Sequence, residues 1–134
     1  MLSSMLYMGL AAYQRILAAA QVESAARVFA QDILSMRDRA LSGMDVGHIV
    51  LDNDGKRYWI YRRPNLVEKK RGFASAGSES IRCVSIPANV IRFSINGVPQ
   101  ASGNYILQHE RFSFAKVCVS LQPVTGRVQL ERLH

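Results

Sequence analysis

The sequence has few of the residues that build metal sites and catalytic centres. It has only two cysteines, Cys83 and Cys118, which form no CxxC pair, and its three histidines are scattered at His48, His109 and His134. It contains no HExxH, GxSxG or P-loop motif and no paired-carboxylate spacing. These absences argue against an enzyme. We expect no cofactor, no metal and no small-molecule substrate.

The two cysteines leave two interpretations open. Both lie in strand-like runs, which favours two unpaired, half-buried thiols. A disulfide between Cys83 and Cys118 is also compatible with the sequence if the domain lies outside the cytoplasm, because disulfides persist in oxidising compartments.

Acidic residues are few: 10 Asp and Glu stand against 17 Lys and Arg, a net charge of +7. Most of this surplus lies in residues 56–82, whose basic positions are Lys56, Arg57, Arg62, Arg63, Lys69, Lys70, Arg71 and Arg82. Tyr58, Trp59, Tyr61 and Phe73 alternate with them. Such a cluster suits single-stranded DNA, since cations neutralise phosphates and aromatic rings stack on bases. The alternative is a solvated loop, with either Tyr58 and Ile60 or Trp59 and Tyr61 packed in the core.

Proline is absent from residues 2–42, and Gly9 is the only glycine there. Good helix formers dominate this stretch, and Ser42-Gly43 is a stop signal. The sequence therefore predicts one helix of about 40 residues, about 60 Å long. Its second half carries one apolar stripe, which we expect to pack on a sheet or on other subunits: Val22, Ala26, Phe29, Ile33, Met36 and Ala40.

The first half of this helix is apolar over most of its surface. Residues 1–14 carry no charge, and Arg15 ends the run. A helix that is apolar all round needs burial in lipid or among other subunits. The run is too short for a complete membrane span and lacks the parts of a full signal peptide.

After Gly47 the apolar period changes to two, which predicts antiparallel strands. Residues 48–51 and 57–61 form a hairpin around Asp54-Gly55, and 62–80 is a loop rich in polar residues. Further strands are predicted at 81–86, 90–95, 105–109, 112–121 and 128–130, with turns at Asn96-Gly97 and 123–126. The predicted fold class is α+β, with a long N-terminal helix packed on antiparallel sheet. Asp52 and Asp54 are interpreted as turn formers rather than an acid–base pair.

The order of several weak motifs resembles the type IV pilin and pseudopilin superfamily. Residues 32–41 resemble the helix end D-L-x-x-A-R-x-x-A-I, with Met36 in place of Ala. Residues 91–107 resemble I-x-F-x-x-x-G followed by G-x-x-x-L, and 125–128 resemble the closing T-G-R-V. Within the superfamily, the chain looks most like the minor subunits that include the H-type pseudopilin of type II secretion and the minor pilins of competence and twitching.

The resemblance implies a structural filament subunit in the inner membrane, with its strand domain outside the cytoplasm. Its partners would be other pilin or pseudopilin subunits and the inner-membrane assembly platform. The superfamily's Gly-Phe-Thr-Leu-Ile-Glu start is missing, and alignment on Arg37 puts Met1 about ten residues inside the mature protein. We therefore expect a truncated front: residues 1–20 as the remnant of the membrane helix, and 21–134 as the globular domain, with helix 21–42 and sheet 47–131.

A related subgroup of minor pilins binds DNA through a C-terminal Gly-Arg-x-Arg motif. The matching positions here are Gly126, Arg127, Val128 and Gln129, so the second arginine is lost. Arg127 is either a DNA contact or a surface residue beside a turn. The DNA-binding hypothesis combines it with Arg62, Arg63, Lys69, Lys70 and Arg71.

Overall fold

The computed structural model describes residues 2–43, 47–63, 66–73, 81–94, 96–112, 114–123, 125 and 127–133. Helix α1 spans Leu2–Leu41 without a break, as the sequence predicted. It closes with a backbone bond from Ser42 N–H to the carbonyl of Asp38, and Gly43 then adopts a positive φ of 75°. Glycine takes that conformation at little cost, which is why the helix stops there.

Strands β1 to β8 form two four-stranded antiparallel sheets. In chain order the strands are β1 His48–Leu51, β2 Arg57–Arg63, β3 Leu66–Gly72, β4 Ile81–Ser85, β5 Val90–Ile91, β6 Gly103–His109, β7 Lys116–Leu121 and β8 Val128–Leu133. The first sheet has the order β3-β2-β1-β5, and the second sheet has the order β4-β6-β7-β8. The predicted fold class, one long helix on antiparallel sheet, is confirmed.

The turn between β1 and β2 links the two sheets. Gly55 has a φ of 74°, and its carbonyl accepts a bond of 2.8 Å from the Cys83 N–H on β4. A Cβ at Gly55 would lie 2.2 Å from the Cys83 carbonyl oxygen. The position therefore requires glycine both for its backbone angle and for this close approach.

The core lies where the second half of α1 meets both sheets. All six residues of the predicted stripe are buried: Val22, Ala26, Phe29, Ile33, Met36 and Ala40. The helix runs along β6, β7 and β8 of the second sheet. There it covers inward-facing residues such as Tyr105, Leu107 and Val119, none of them measurably exposed.

Three sequence predictions about strands are wrong in part. The strand expected at 112–121 begins only at Lys116. Residues 62–80 were expected to be one loop, but β2 continues to Arg63 and residues 66–72 form β3, paired along β2 from Arg57↔Gly72 to Arg63↔Leu66. Strand 90–95 shrinks to Val90–Ile91, followed by an isolated bridge between Phe93 and Pro99. Residues 74–80 and the turn residues 124 and 126 lie outside the described part of the chain.

Candidate functional site

Residues 2–17 of α1, which we name the rod, precede the part of the helix that packs on the two sheets; that part and the sheets together we name the head. Every residue from Gly9 to Leu17 is exposed, and Ala18 is the first buried residue among those whose burial is described. Several large apolar side chains face outward here, with Tyr13 61% and Ile16 70% exposed. Such a run is unusual on a solvated helix and indicates a surface that another apolar surface covers.

Aromatic packing around Phe29 fixes the second half of α1 in the head. Its ring centroid lies 5.1 Å from that of Tyr58, 5.3 Å from Phe73 and 5.7 Å from Tyr105, all edge-on. Tyr58 lies on β2 of the first sheet, Phe73 directly follows β3 of that sheet, and Tyr105 lies on β6 of the second. One helix residue therefore joins all three layers.

A polar anchor lies beside this cluster. The Tyr58 hydroxyl donates a hydrogen bond of 2.5 Å to Asp32 Oδ2, and Arg71 Nε lies 2.8 Å from the same oxygen. Burial, followed by this hydrogen bond, raises the pKa of Tyr58, so the hydroxyl keeps its proton and remains a donor. Sequence reasoning missed this role for Asp32. The available signal was a carboxylate on the flank of an apolar stripe.

A second ion pair ties α1 to β8 on the opposite flank of the helix. Arg132 contacts Glu23, which also pairs with Arg27 at 2.9 Å one helical turn further on. The hydrogen bond from Arg132, with the charges of both arginines, lowers the pKa of Glu23. The i,i+4 spacing of Glu23 and Arg27 is visible in the sequence, whereas the contact with Arg132 joins distant parts of the chain and was not predicted.

The predicted DNA-binding residues whose side chains are described lie in different settings. Lys69 and Lys70 are exposed on the edge strand β3, and the Lys70 ammonium lies 5.9 Å from the centroid of the Trp59 ring. Arg71 is paired with Asp32. Arg62 and Arg63 belong to β2, but their side chains lie outside the described part of the structure.

The interleaved aromatic residues divide between the core and half-exposed positions. Tyr58 and Phe73 are buried at 1% and 3% exposure, so they cannot stack on bases without unfolding. Trp59 is half-buried, and Tyr61 stacks on the buried His48 with ring centroids 4.6 Å apart. Of the two core alternatives, Tyr58 with Ile60 is the one observed.

Arg127 lies in a different place from the other predicted DNA contacts. It is exposed just before β8, an edge strand of the second sheet, whereas Lys69 and Lys70 are on an edge strand of the first. Its carbonyl accepts a bond of 2.8 Å from Gln122 N–H, and its own N–H donates to Thr125 Oγ1. These bonds make it part of the β7–β8 turn.

A shallow groove of about 350 Å³ runs between α1 and β3. Its lining includes the apolar residues Ala25, Val28 and Phe73 and the basic residues Lys70 and Arg71.

The cysteines are free thiols, so the disulfide that the sequence left open is not formed. Cys83 on β4 pairs with Leu107 of β6, and Cys118 on β7 pairs with the preceding residue, Ile106. Adjacent residues of a strand face opposite sides of the sheet, so the two thiols point away from each other. With β6 between them the strands lie about 10 Å apart, beyond the limit of about 7 Å between the Cα atoms of a disulfide.

The other candidate reactive groups have structural roles. Asp54 Oδ1 accepts the Lys56 N–H, and Asp52 pairs with Arg57 at 3.3 Å, as expected of turn formers. His48 and His109 are buried at separate sites, and burial lowers the pKa of both. Among the residues that the structure describes, no cluster of three or more His, Cys, Asp or Glu could hold a metal ion.

One further finding concerns α1 as a membrane element. Judged over the described residues, no helix has the combined length and apolarity needed to cross a bilayer.

Together these features define a type IV pilin-like fold: one long N-terminal helix, half exposed and half covered by antiparallel sheets. Two crystal structures of the type IV minor pilin FimU from Pseudomonas aeruginosa strain PAO1 share it. The first is 20% identical with a TM-score of 0.67, covering 84% of this chain and 89% of FimU. The second crystal form is 18% identical with a TM-score of 0.63, and the match covers 81% of this chain and 91% of the FimU chain. No protein-family model and no curated protein matches the sequence. The narrower resemblance to H-type pseudopilins stays a prediction.

Proposed function

We propose that this protein is a structural subunit of a filament of pilin-like proteins, acting through its helix rather than through a catalytic site. The observation that carries the proposal is the division of α1 into an exposed apolar rod and a buried, aromatic-anchored second half. In a filament the rods of neighbouring subunits cover one another, which removes the exposed apolar surface from water. The strand domain then faces outward.

We further propose that the rod lies in the inner membrane before assembly, with the head outside the cytoplasm. Other pilin subunits and the assembly platform are the partners that this role implies. A type IV pilus, a competence pseudopilus and a type II secretion filament would each use such a subunit. Genes for an assembly ATPase and a prepilin peptidase beside this one would favour the role, and their types would separate the three systems.

A charge placed on the rod tests the structural role. Ile16→Asp puts a carboxylate where the side chain is 70% exposed on the free subunit, so the head should fold and melt as in the wild type. In a filament or in lipid the same carboxylate would be desolvated at a cost of several kcal/mol. Recovery of the protein in sheared filaments should therefore be lost.

The matched control is Gln31→Asp, which adds the same charge at an exposed position on the outer side of the head-bound half of α1. It should be incorporated at close to the wild-type level. If Ile16→Asp enters filaments as well as Gln31→Asp does, the rod is not the assembly surface and the proposal fails.

The DNA-binding alternative stays a prediction, and it is supported by Lys69, Lys70 and the half-exposed Trp59 on one sheet. Phosphate contacts predict binding that weakens steeply with salt. Lys69→Gln with Lys70→Gln should weaken a low-salt DNA shift if this edge is the site, and Arg127→Ala should do so if the terminal motif is. A shift unaffected by all three changes would rule out both surfaces.

A further inference from the structure

Two arginines and two phenylalanines lie together at the end of the head where the rod emerges. Arg15 on the rod holds its guanidinium 5.9 Å from the centroid of the Phe114 ring. Arg111 lies 5.6 Å from the Phe112 ring, and the two phenylalanine rings are 6.0 Å apart. We name these four residues, Arg15, Arg111, Phe112 and Phe114, the collar.

Hydrogen bonds among the described residues of the β6–β7 connection brace the backbone that carries Arg111 and Phe112. The buried His109 accepts two bonds of 3.2 Å at Nδ1, from the N–H groups of Arg111 and Phe112. The backbone N–H of His109 donates to the Ala115 carbonyl at 3.1 Å, and the backbone N–H of Ala115 donates to the Phe112 carbonyl at 3.0 Å. The aromatic side chains are therefore presented by a hydrogen-bonded loop and do not hang from a free one.

Packing in the head does not account for this exposure. Phe114 is 50% exposed, whereas the next residue, Ala115, is buried at 4%. Phe112 is only partly buried at the edge of the core. Both arginines are exposed. With Lys116 and Glu110 counted, the connection and Arg15 carry three cations against one carboxylate.

We propose that the collar docks on the surface of an anionic phospholipid bilayer, with Phe114 in the interface and Arg15 and Arg111 at the phosphates. Aromatic and cationic side chains concentrate at this depth of a membrane, because their rings are amphipathic and their charges reach the headgroups. The neighbouring Tyr13 and the apolar rod continue below it. Residues 2–14, which precede Arg15, would extend about 20 Å, about two-thirds of the hydrocarbon thickness.

This inference rests on the proposed membrane stage of the subunit, but it adds a claim that the rod alone does not make. A rod could enter lipid while the head stands clear of the headgroups. The collar instead sets the depth and the tilt of the head. It predicts lipid contact at Phe114, which is 50% exposed and belongs to no part of the rod.

Tryptophan fluorescence can locate the collar directly. The chain has one tryptophan, so Trp59→Phe combined with Phe114→Trp places a single reporter in the collar of the full chain. The matched control is Val98→Trp in the same background. Val98 is 36% exposed and follows Gly97, which contacts Leu41 at the other end of the helix.

The probe is vesicles of phosphatidylcholine, with and without about a quarter phosphatidylglycerol to supply headgroup charge. The Phe114→Trp reporter should shift to shorter wavelength and be quenched by brominated lipids on anionic vesicles, while the Val98→Trp reporter should not change. Adding Arg111→Gln should weaken binding about fivefold, the effect of one cation near a charged surface. Arg92→Gln removes an exposed cation that follows β5 of the first sheet, outside the collar, and should leave binding unchanged.

Each other outcome overturns the inference. If the protein floats with vesicles but the Phe114→Trp reporter stays accessible to aqueous acrylamide, the rod inserts and the collar does not touch lipid, and the filament proposal stands. If the shift occurs without vesicles and grows with protein concentration, the collar binds a second copy instead. If the protein binds no vesicles while Ile16→Asp still blocks filament entry, the rod serves assembly alone.

Discussion

The polar anchor between α1 and the first sheet consists of two contacts to Asp32 Oδ2, and we predict that they contribute unequally to the free energy of unfolding. Tyr58→Phe removes the hydroxyl that donates to Asp32 Oδ2, at a site where the tyrosine is 1% exposed. A hydrogen bond to a charged acceptor contributes about 1.5–3 kcal/mol. Arg71→Gln removes the ion pair to the same oxygen, but Arg71 Nε lies there without hydrogen-bond geometry and the side chain as a whole is 36% exposed. Solvent screening limits such a pair to about 0–1 kcal/mol.

We therefore expect Tyr58→Phe to lower the free energy of unfolding more than Arg71→Gln does. For a chain of this length the loss corresponds to a fall in Tm of about 5–10 °C. Asp32→Leu should cost more than either change, because it leaves the Tyr58 hydroxyl buried without an acceptor. The double variant Tyr58→Phe with Asp32→Leu should then be less unstable than the sum of its two single changes.

Thermal and urea unfolding followed by circular dichroism measure all four variants. The control is Arg27→Gln, which breaks an ion pair with Glu23 where the arginine is 65% exposed, and it should give no resolvable change. An Arg71→Gln effect equal to or larger than that of Tyr58→Phe would refute the reasoning. So would additive effects of Tyr58→Phe and Asp32→Leu.

Three further predictions concern the core, the buried histidine and the thiols. Phe29→Ala removes the ring that touches three others and should lower the free energy of unfolding by about 3–5 kcal/mol. Val28→Ala, at a position that is 38% exposed, should lower it far less. Equal losses of stability in urea unfolding would contradict this. Burial, and then a neighbouring arginine charge, lowers the pKa of His109 below its ordinary value of 6.5. As the pH drops below 6.5, the unfolded chain therefore binds a proton at His109 before the folded protein does, and the free energy of unfolding should fall. His109→Asn keeps a hydrogen-bond acceptor for the loop and should reduce the dependence of the free energy of unfolding on pH. The part of that dependence that comes from His48, the other buried histidine, should remain. Burial raises the pKa of Cys83 to about 11 and also raises the pKa of Cys118. Both thiols should therefore react slowly with Ellman's reagent in the native protein and completely in denaturant. If no thiol reacts in denaturant, the two cysteines form a disulfide.

The long helix was predictable because its signals agree at every level. The absence of proline, the four-and-three spacing of the apolar stripe and the stop at Ser42-Gly43 all favour one uninterrupted element. The β1–β2 hairpin was predictable for the same reason, since Asp54-Gly55 gives the chain a residue that accepts positive φ between two apolar runs. Local chemistry and tertiary packing specify the same structure in both places.

Strand β3 was missed because an edge strand and a solvated loop can have the same composition. The strand Leu66–Gly72 contains two lysines and an arginine and has no apolar alternation. Lysines on an exposed edge discourage pairing with other chains, so this composition protects the sheet rather than breaking it. The pattern also gave no indication that eight strands divide into two sheets, because strand order depends on contacts distant in sequence.

The candidate site was predictable in its apolar part and not in its polar part. The buried stripe and the exposed rod follow from helical spacing, which fixes what shares a face. The pairing of Asp32 with Arg71, and of Glu23 with Arg132, joins residues 39 and 109 positions apart, respectively. Because charge pairing carries no periodicity, Arg71 was read from the sequence as part of a free basic patch.

The head and the rod share a single helix, and the length of helix packed in the head determines how firmly the head is oriented relative to the rod. The buried stripe extends from Val22 to Ala40, about 27 Å of helix axis. A head held by one turn could hinge about its rod, but here any swing would separate Phe29 from its three ring partners and break the Asp32 contacts. The orientation of the head is thereby fixed relative to the rod. If rods pack at a regular repeat in a filament, the heads must repeat with them.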